Sequence, residues 1–164
     1  MTMRQIKATA RSRLVPARRA TAAVEFAVAS PLLVLLLGGA ADYGLAQYYR
    51  TNLANAVAAG SEYAYLTGIN VTAANIRTVI QNTMFLPAGA SANLSTTVTG
   101  PAGYCVTGST PTMTPQALAS SCADPTTWGT YVIITSTYTN TGLMNGFMST
   151  LSQPLSESAT VRLN

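Results

Sequence analysis

Residues 21–41 read TAAVEFAVASPLLVLLLGGAA, a run whose only charge is Glu25. At 1.5 Å per helical residue, about twenty such residues cover the roughly 30 Å hydrocarbon core of a bilayer. After Ala41 the pattern changes without breaking. In DYGLAQYYRTNLANAVAAGSEYAYL, Leu45, Tyr48, Tyr49, Leu53, Ala56, Val57, Gly60 and Ala64 recur at three- and four-residue steps. Asp42, Gln47, Arg50, Asn52, Asn55 and Glu62 fall largely elsewhere. That spacing marks one face of a helix. Together the two stretches predict one helix over residues 22–66, apolar all round at first and amphipathic afterwards. Pro31 predicts a kink in the first half, because proline removes a backbone donor and crowds the preceding turn.

Beyond Leu66 the pattern shortens. Gly68-Ile69-Asn70 ends the long helix, and Thr72 is placed to cap a short one reaching about Phe85. Ile76, Val79, Ile80 and Met84 share one face of it. Leu86-Pro87-Ala88-Gly89 closes that helix, and strand patterns follow at 93–99, 103–107, 130–140 and 155–163. In YVIITSTYT, Val132, Ile134, Ser136 and Tyr138 alternate with Ile133, Thr135, Thr137 and Thr139, as in a half-buried strand. Pro111, Pro115 and Pro125 read as a long connection. Asn140-Thr141-Gly142 and Gly146 mark another loop, whose Leu143, Met144, Phe147 and Met148 are apolar for a loop. The expected class is α+β. A long N-terminal helix, transmembrane in its first half and amphipathic in its second, carries a small C-terminal antiparallel β-sheet head. The expected organisation is a leader at 1–20, the helix at 21–66 and the head at 67–164. The Tyr and Leu stripe suits the core of this head as well as it suits an interface with another chain.

Charge gives the pattern a direction. Only 9% of the 164 residues are charged, against roughly 25% in an ordinary soluble domain. With 48% hydrophobic residues the chain is not disordered either. Arg4, Lys7, Arg11, Arg13, Arg18 and Arg19 form a basic leader without an acid. The rest holds Arg50, Arg77 and Arg162 against Glu25, Asp42, Glu62, Asp124 and Glu157, so 3 − 5 = −2. A basic leader before an apolar run keeps the N-terminus cytoplasmic and sends the remainder across the membrane. The remainder offers no basic patch for phosphates, so no nucleic-acid partner is expected.

Chemistry is sparse. The absence of histidine removes His-based acid–base catalysis and most zinc, haem and non-haem iron sites. No phosphate loop, nucleophile elbow or carboxylate pair is present, and the single lysine, Lys7, lies in the leader. No catalytic residue, metal or cofactor is expected. Asn70-Val71-Thr72 and Asn93-Leu94-Ser95 match glycosylation sequons, which a Thr/Ser-rich chain produces by chance. Cys105 and Cys122, the two cysteines, fall beyond the apolar run. Two thiols alone cannot hold a structural zinc. They predict a disulfide, suited to an oxidising periplasm, that closes a loop of about 17 residues and stabilises by roughly 3 kcal/mol. Ala22, Ala23, Ala27, Ala29, Gly38, Gly39 and Gly44 make a small-residue surface of the kind that packs membrane helices.

Residues 18–31, RRATAAVEFAVASP, resemble the N-terminus of a type IVb pseudopilin, and most closely the TadE-like minor pseudopilins of the Tad (tight adherence, Flp pilus) machinery. The resemblance rests on Arg18-Arg19, the AAVEFA core, Pro31, the leucine-rich run at 32–37 and Asp42-Tyr43-Gly44. It continues through the helix at 52–64 and the strand LSESATVRL at 155–163, and it is strong over residues 18–66. It implies a pilin-like fold and cleavage by a prepilin peptidase between Ala20 and Thr21, leaving Glu25 fifth in the mature chain. The family usually has glycine where this chain has Ala20. The resemblance also implies that Glu25, Phe26 and Pro31 serve subunit assembly. The implied partners are other pilin-like subunits, the Tad inner-membrane assembly platform, the prepilin peptidase and the lipid bilayer.

The implied role is non-catalytic: a single-pass protein of a bacterial inner membrane, head periplasmic, that helps initiate or cap a pilus used in adherence. Entry into a surface pilus stays open. A major pilin of this class would be little more than the helix, so the head points to a minor component. The physics of Glu25 is independent of the family. A carboxylate costs about 2.5–3.5 kcal/mol at the bilayer centre, so it requires a partner or a place near the headgroups. The Thr21 amine of an adjacent subunit is one partner, and solvation at headgroup level is the other reading. Two further readings of the whole chain stay open. One is a singly anchored periplasmic or surface binding module outside a pilus. The other is a soluble secreted protein, freed by a signal peptidase before Asp42.

Overall fold

A computed structural model describes residues 17–107, 112–117, 121–122, 127–140 and 154–163. The long helix α1 runs Ala17–Thr67 and passes through Pro31 as a single element, so the proline removes a donor without ending the helix. A short 3-10 turn at Gly68–Asn70 leads into α2, Ala73–Thr83. Thr72 caps α2 as its sequence suggests, its side chain accepting from the Asn75 N–H at 3.3 Å. A second 3-10 turn at Ala90–Asn93 precedes four strands. These are β1 (Leu94–Thr107), β2 (Thr112–Gln116), β3 (Thr127–Tyr138) and β4 (Leu155–Leu163).

The chain divides into two compact units between Gly38 and Gly39. In the first unit, α1 presents apolar side chains on all sides. Val24, Phe26, Val28, Leu32, Val34, Leu36 and Leu37 are all exposed. This helix is long and apolar enough to cross a membrane, and none of its most apolar 18-residue window is buried by protein. The core helix of a soluble domain would be covered.

The second unit is built on one antiparallel sheet in the order β2-β1-β3-β4. Alternation along β3 decides its faces. Val132, Ile134, Ser136 and Tyr138 are buried, and Ile133, Thr135 and Thr137 are half-buried on the other side. The buried face shares a core with Leu53, Ala56, Val57 and Ala64 of α1 and with Ile76, Ile80 and Met84. The stripe read from the sequence is therefore the core of the head, with two exceptions: Tyr48 stays 52% exposed, and Leu45 is half-buried outside that core. α1 and α2 approach closely at Gly60, where an added Cβ would stand 2.8 Å from Ile80 Cγ1 and 3.5 Å from Ile76 Cγ2.

The strand boundaries differ from expectation at three places. Segments 93–99 and 103–107 form one strand, β1, joined through a register shift between Thr99 and Ala102. Gly100 makes that shift at φ 108, in the left-handed region, with the Tyr131 carbonyl oxygen 2.5 Å from where a Cβ would sit. Pro115 suggests a connection, but β2 is an edge strand paired on one side, where a missing N–H is tolerated. β3 begins at Thr127, three residues earlier than expected, and β4 occupies 155–163 as expected. The apolar loop residues Leu143, Met144, Phe147 and Met148 lie outside the described residues. The layout is the α+β arrangement expected of a pilin-like chain: a long N-terminal helix followed by a small antiparallel sheet.

Candidate functional site

The residues singled out by sequence lie along the start of α1. Ala20 and Thr21 both fall within the helix, so the expected cleavage point is a helical peptide bond in the uncut chain. Thr21 and Glu25 are four residues apart, hence on one face and about 6 Å apart along the axis. Glu25 is exposed and has no ion-pair partner among the described residues. Phe26 is 68% exposed beside it, and Pro31 is exposed on the next stretch of helix. The fold gathers the side chains of Thr21, Glu25, Phe26 and Pro31 into no cleft. They are features of one uncovered helix surface, which suits packing against lipid or other helices and offers no enclosed place for chemistry.

The second unit holds its polar groups differently. One row crosses the buried face of the sheet. Arg77 of α2 donates from Nε to the Thr96 carbonyl at 3.1 Å. The Thr96 and Ser136 hydroxyls share a 3.0 Å hydrogen bond, with Ser136 fully buried. Glu157 stands opposite Ser136 on β4 and pairs with Arg50 of α1, Oε1 to Nε, at 3.4 Å. The row therefore ties both helices to three strands. Burial, with Tyr49 nearby, pushes the Tyr138 hydroxyl above its ordinary pKa. The two rings lie 5.1 Å apart. Cys105 and Cys122 form the expected disulfide, Cα–Cα 5.7 Å, and join β1 to the segment beyond β2.

Asp42 is the residue that sequence reasoning misplaced. Its residue type sets it among the polar positions that fall largely off the apolar stripe, yet it is only 2% exposed within the second unit. Its position does continue the buried stripe, three residues before Leu45 and seven before Tyr49, and only its acidic side chain points the other way. Among the described residues, no three His, Cys, Asp or Glu side chains come together as metal ligands. An open groove of about 450 Å³ runs beside the end of α2, lined by uncharged side chains including Gln81, Asn82 and Ser91.

Residues 20–62 match the model of a known family, TadE-like protein. The match bears out the resemblance seen at the N-terminus and falls almost entirely on α1. That family is structural and associated with the Tad pilus. No curated protein and no solved structure matches the chain.

Proposed function

We propose that the chain is a non-catalytic minor pseudopilin of a Tad-type pilus. In this reading α1 anchors it in a bacterial inner membrane, with the N-terminus cytoplasmic and the second unit periplasmic. The observation that carries the reading is a coincidence of place. The family match at 20–62 covers the stretch where α1 is uncovered, apolar and interrupted by a single carboxylate, Glu25. A prepilin peptidase cuts between Ala20 and Thr21. The new Thr21 amine of one subunit then pairs with Glu25 of its neighbour and sets the register between helices. Phe26 and Pro31 shape the packing surface around that pair, and small residues such as Ala22, Ala29 and Gly38 allow close approach. The second unit, far larger than a helix-only pilin needs, starts or caps a fiber by blocking further growth on its side. Its partners are other pilin-like subunits and the inner-membrane assembly platform.

The test is Glu25→Gln, expressed at normal level in the native host. The expected outcome is a chain that still enters the membrane but no longer co-purifies with other pilus subunits, together with loss of pili. Unchanged pili and unchanged co-purification would overturn the assignment of Glu25.

A further inference from the structure

We propose that Tyr43 and Tyr48 form a lipid-contacting collar on the second unit, seated in the phospholipid headgroup layer where α1 leaves the bilayer. The proposal rests on the reading that residues 21–41 span a membrane. Tyr43 is 58% exposed and Tyr48 52% exposed, although Leu53, a turn further along the same helix, is fully buried in the core and Tyr49 packs against it. Tyr49, by contrast, packs at a tilt against Tyr138 of β3, the ring centroids 5.1 Å apart. The Tyr48 ring is held edge-on against Tyr49 at 5.5 Å, so its position is fixed by the head.

The axial distances place Tyr43 inside the headgroup layer and the Tyr48 backbone a few ångströms beyond it, within reach of its ring. Tyr43 lies two residues past Ala41, about 3 Å along the helix, and Tyr48 seven residues past it, about 10.5 Å. Helical side chains lean toward the N-terminus, which here carries both rings back toward the bilayer. The headgroup layer on each side is roughly 5–7 Å deep. Tyr65 is as exposed as Tyr48, at 53%, but sits 24 residues past Ala41, about 36 Å away and out of reach. Charge also permits the contact. From Tyr43 to Tyr49 the chain has no ionisable acid or base other than tyrosine, and Asp42 is withdrawn into the unit at 2% exposure. An aromatic ring with an apolar body and a hydroxyl tip is the side chain best suited to a membrane–water boundary.

The experiment places a single tryptophan at chosen depths in the full chain. Trp128 is the one native tryptophan, and its buried indole nitrogen has no hydrogen-bond partner, so Trp128→Phe removes no hydrogen bond. On that background Tyr43→Trp, Tyr48→Trp, Tyr65→Trp and Leu33→Trp are reconstituted separately. The vesicles are phosphatidylethanolamine and phosphatidylglycerol, doped with lipid brominated near the carbonyl end or near the middle of its acyl chains. The expected result is a several-fold greater loss of emission by shallow bromine for Tyr43→Trp and Tyr48→Trp than for Tyr65→Trp, with emission shifted to the blue. Leu33→Trp is quenched by deep bromine. If Leu33→Trp is quenched but Tyr43→Trp and Tyr48→Trp behave like Tyr65→Trp, the collar is refuted and the anchor stands. If Leu33→Trp also escapes quenching, the anchor fails and the collar with it.

Discussion

The close approach of α1 and α2 at Gly60 makes a volume-exchange prediction. A Cβ at residue 60 would stand 2.8 Å from Ile80 Cγ1 and 3.0 Å from its Cδ1, about 1 Å inside an ordinary carbon–carbon contact. Ile80 is fully buried and cannot swing into solvent. Gly60→Val adds three carbons there and should destabilise by about 1–3 kcal/mol, because overpacking outweighs the few tenths gained in helix propensity. Ile80→Ala removes three carbons and should cost about 2–5 kcal/mol through the cavity it leaves. Combined, the two changes roughly conserve volume at one contact. The double variant should be more stable than the sum of the singles by about 0.5–3 kcal/mol, the range seen for residues in contact. Denaturant melts of the full chain in detergent, followed by near-ultraviolet tyrosine dichroism, measure all four corners of the cycle. A double variant destabilised by the plain sum would refute the packing of α2 on Gly60.

Four further outcomes follow from the second unit. Ser136→Ala should cost about 1 kcal/mol by leaving the Thr96 hydroxyl without its partner, read from the same melts. Replacing Cys105 and Cys122 together by serine should cost roughly 3 kcal/mol, and reductant should lower the melting temperature of the native chain but not of that variant. Tyr138 has its pKa raised in the fold, so the folded state keeps a proton that the unfolded chain begins to lose near pH 10. Its contribution is complete below pH 10 and is lost as pH rises through the folded value. Tyr138→Phe should flatten that part of the stability profile. Glu157→Gln should change stability by less than about 1 kcal/mol, because Arg50 is well exposed and the pair is screened, and added salt should shrink the difference.

What was legible in the sequence was what periodicity encodes. The three- and four-residue steps of Leu53, Ala56, Val57, Gly60 and Ala64 named the buried face of α1, and the alternation of Val132, Ile134, Ser136 and Tyr138 named the buried face of β3. Thr72 and the glycines around it located α2. The reading of Pro115 as part of a connection failed, although Pro87 does follow the end of α2. Pro101 lies inside β1 and Pro115 inside β2, because an edge ladder or a register shift leaves an N–H without a role. Contacts far apart in the chain were not legible. Arg50 and Glu157 are 107 residues apart, and nothing local to either marks the pair. Asp42 and Tyr48 exchange the roles their residue types suggest, the acid buried and the ring exposed. On the uncovered part of α1 the candidate residues were visible as a motif, since no tertiary packing overwrites their pattern there.

The account stands most directly on where the mature chain begins. Intact mass and N-terminal sequencing of the protein from cell-envelope membranes should find a chain that starts at Thr21 and keeps α1. A membrane-bound chain starting at Met1, or a soluble one starting at Asp42, would contradict the account.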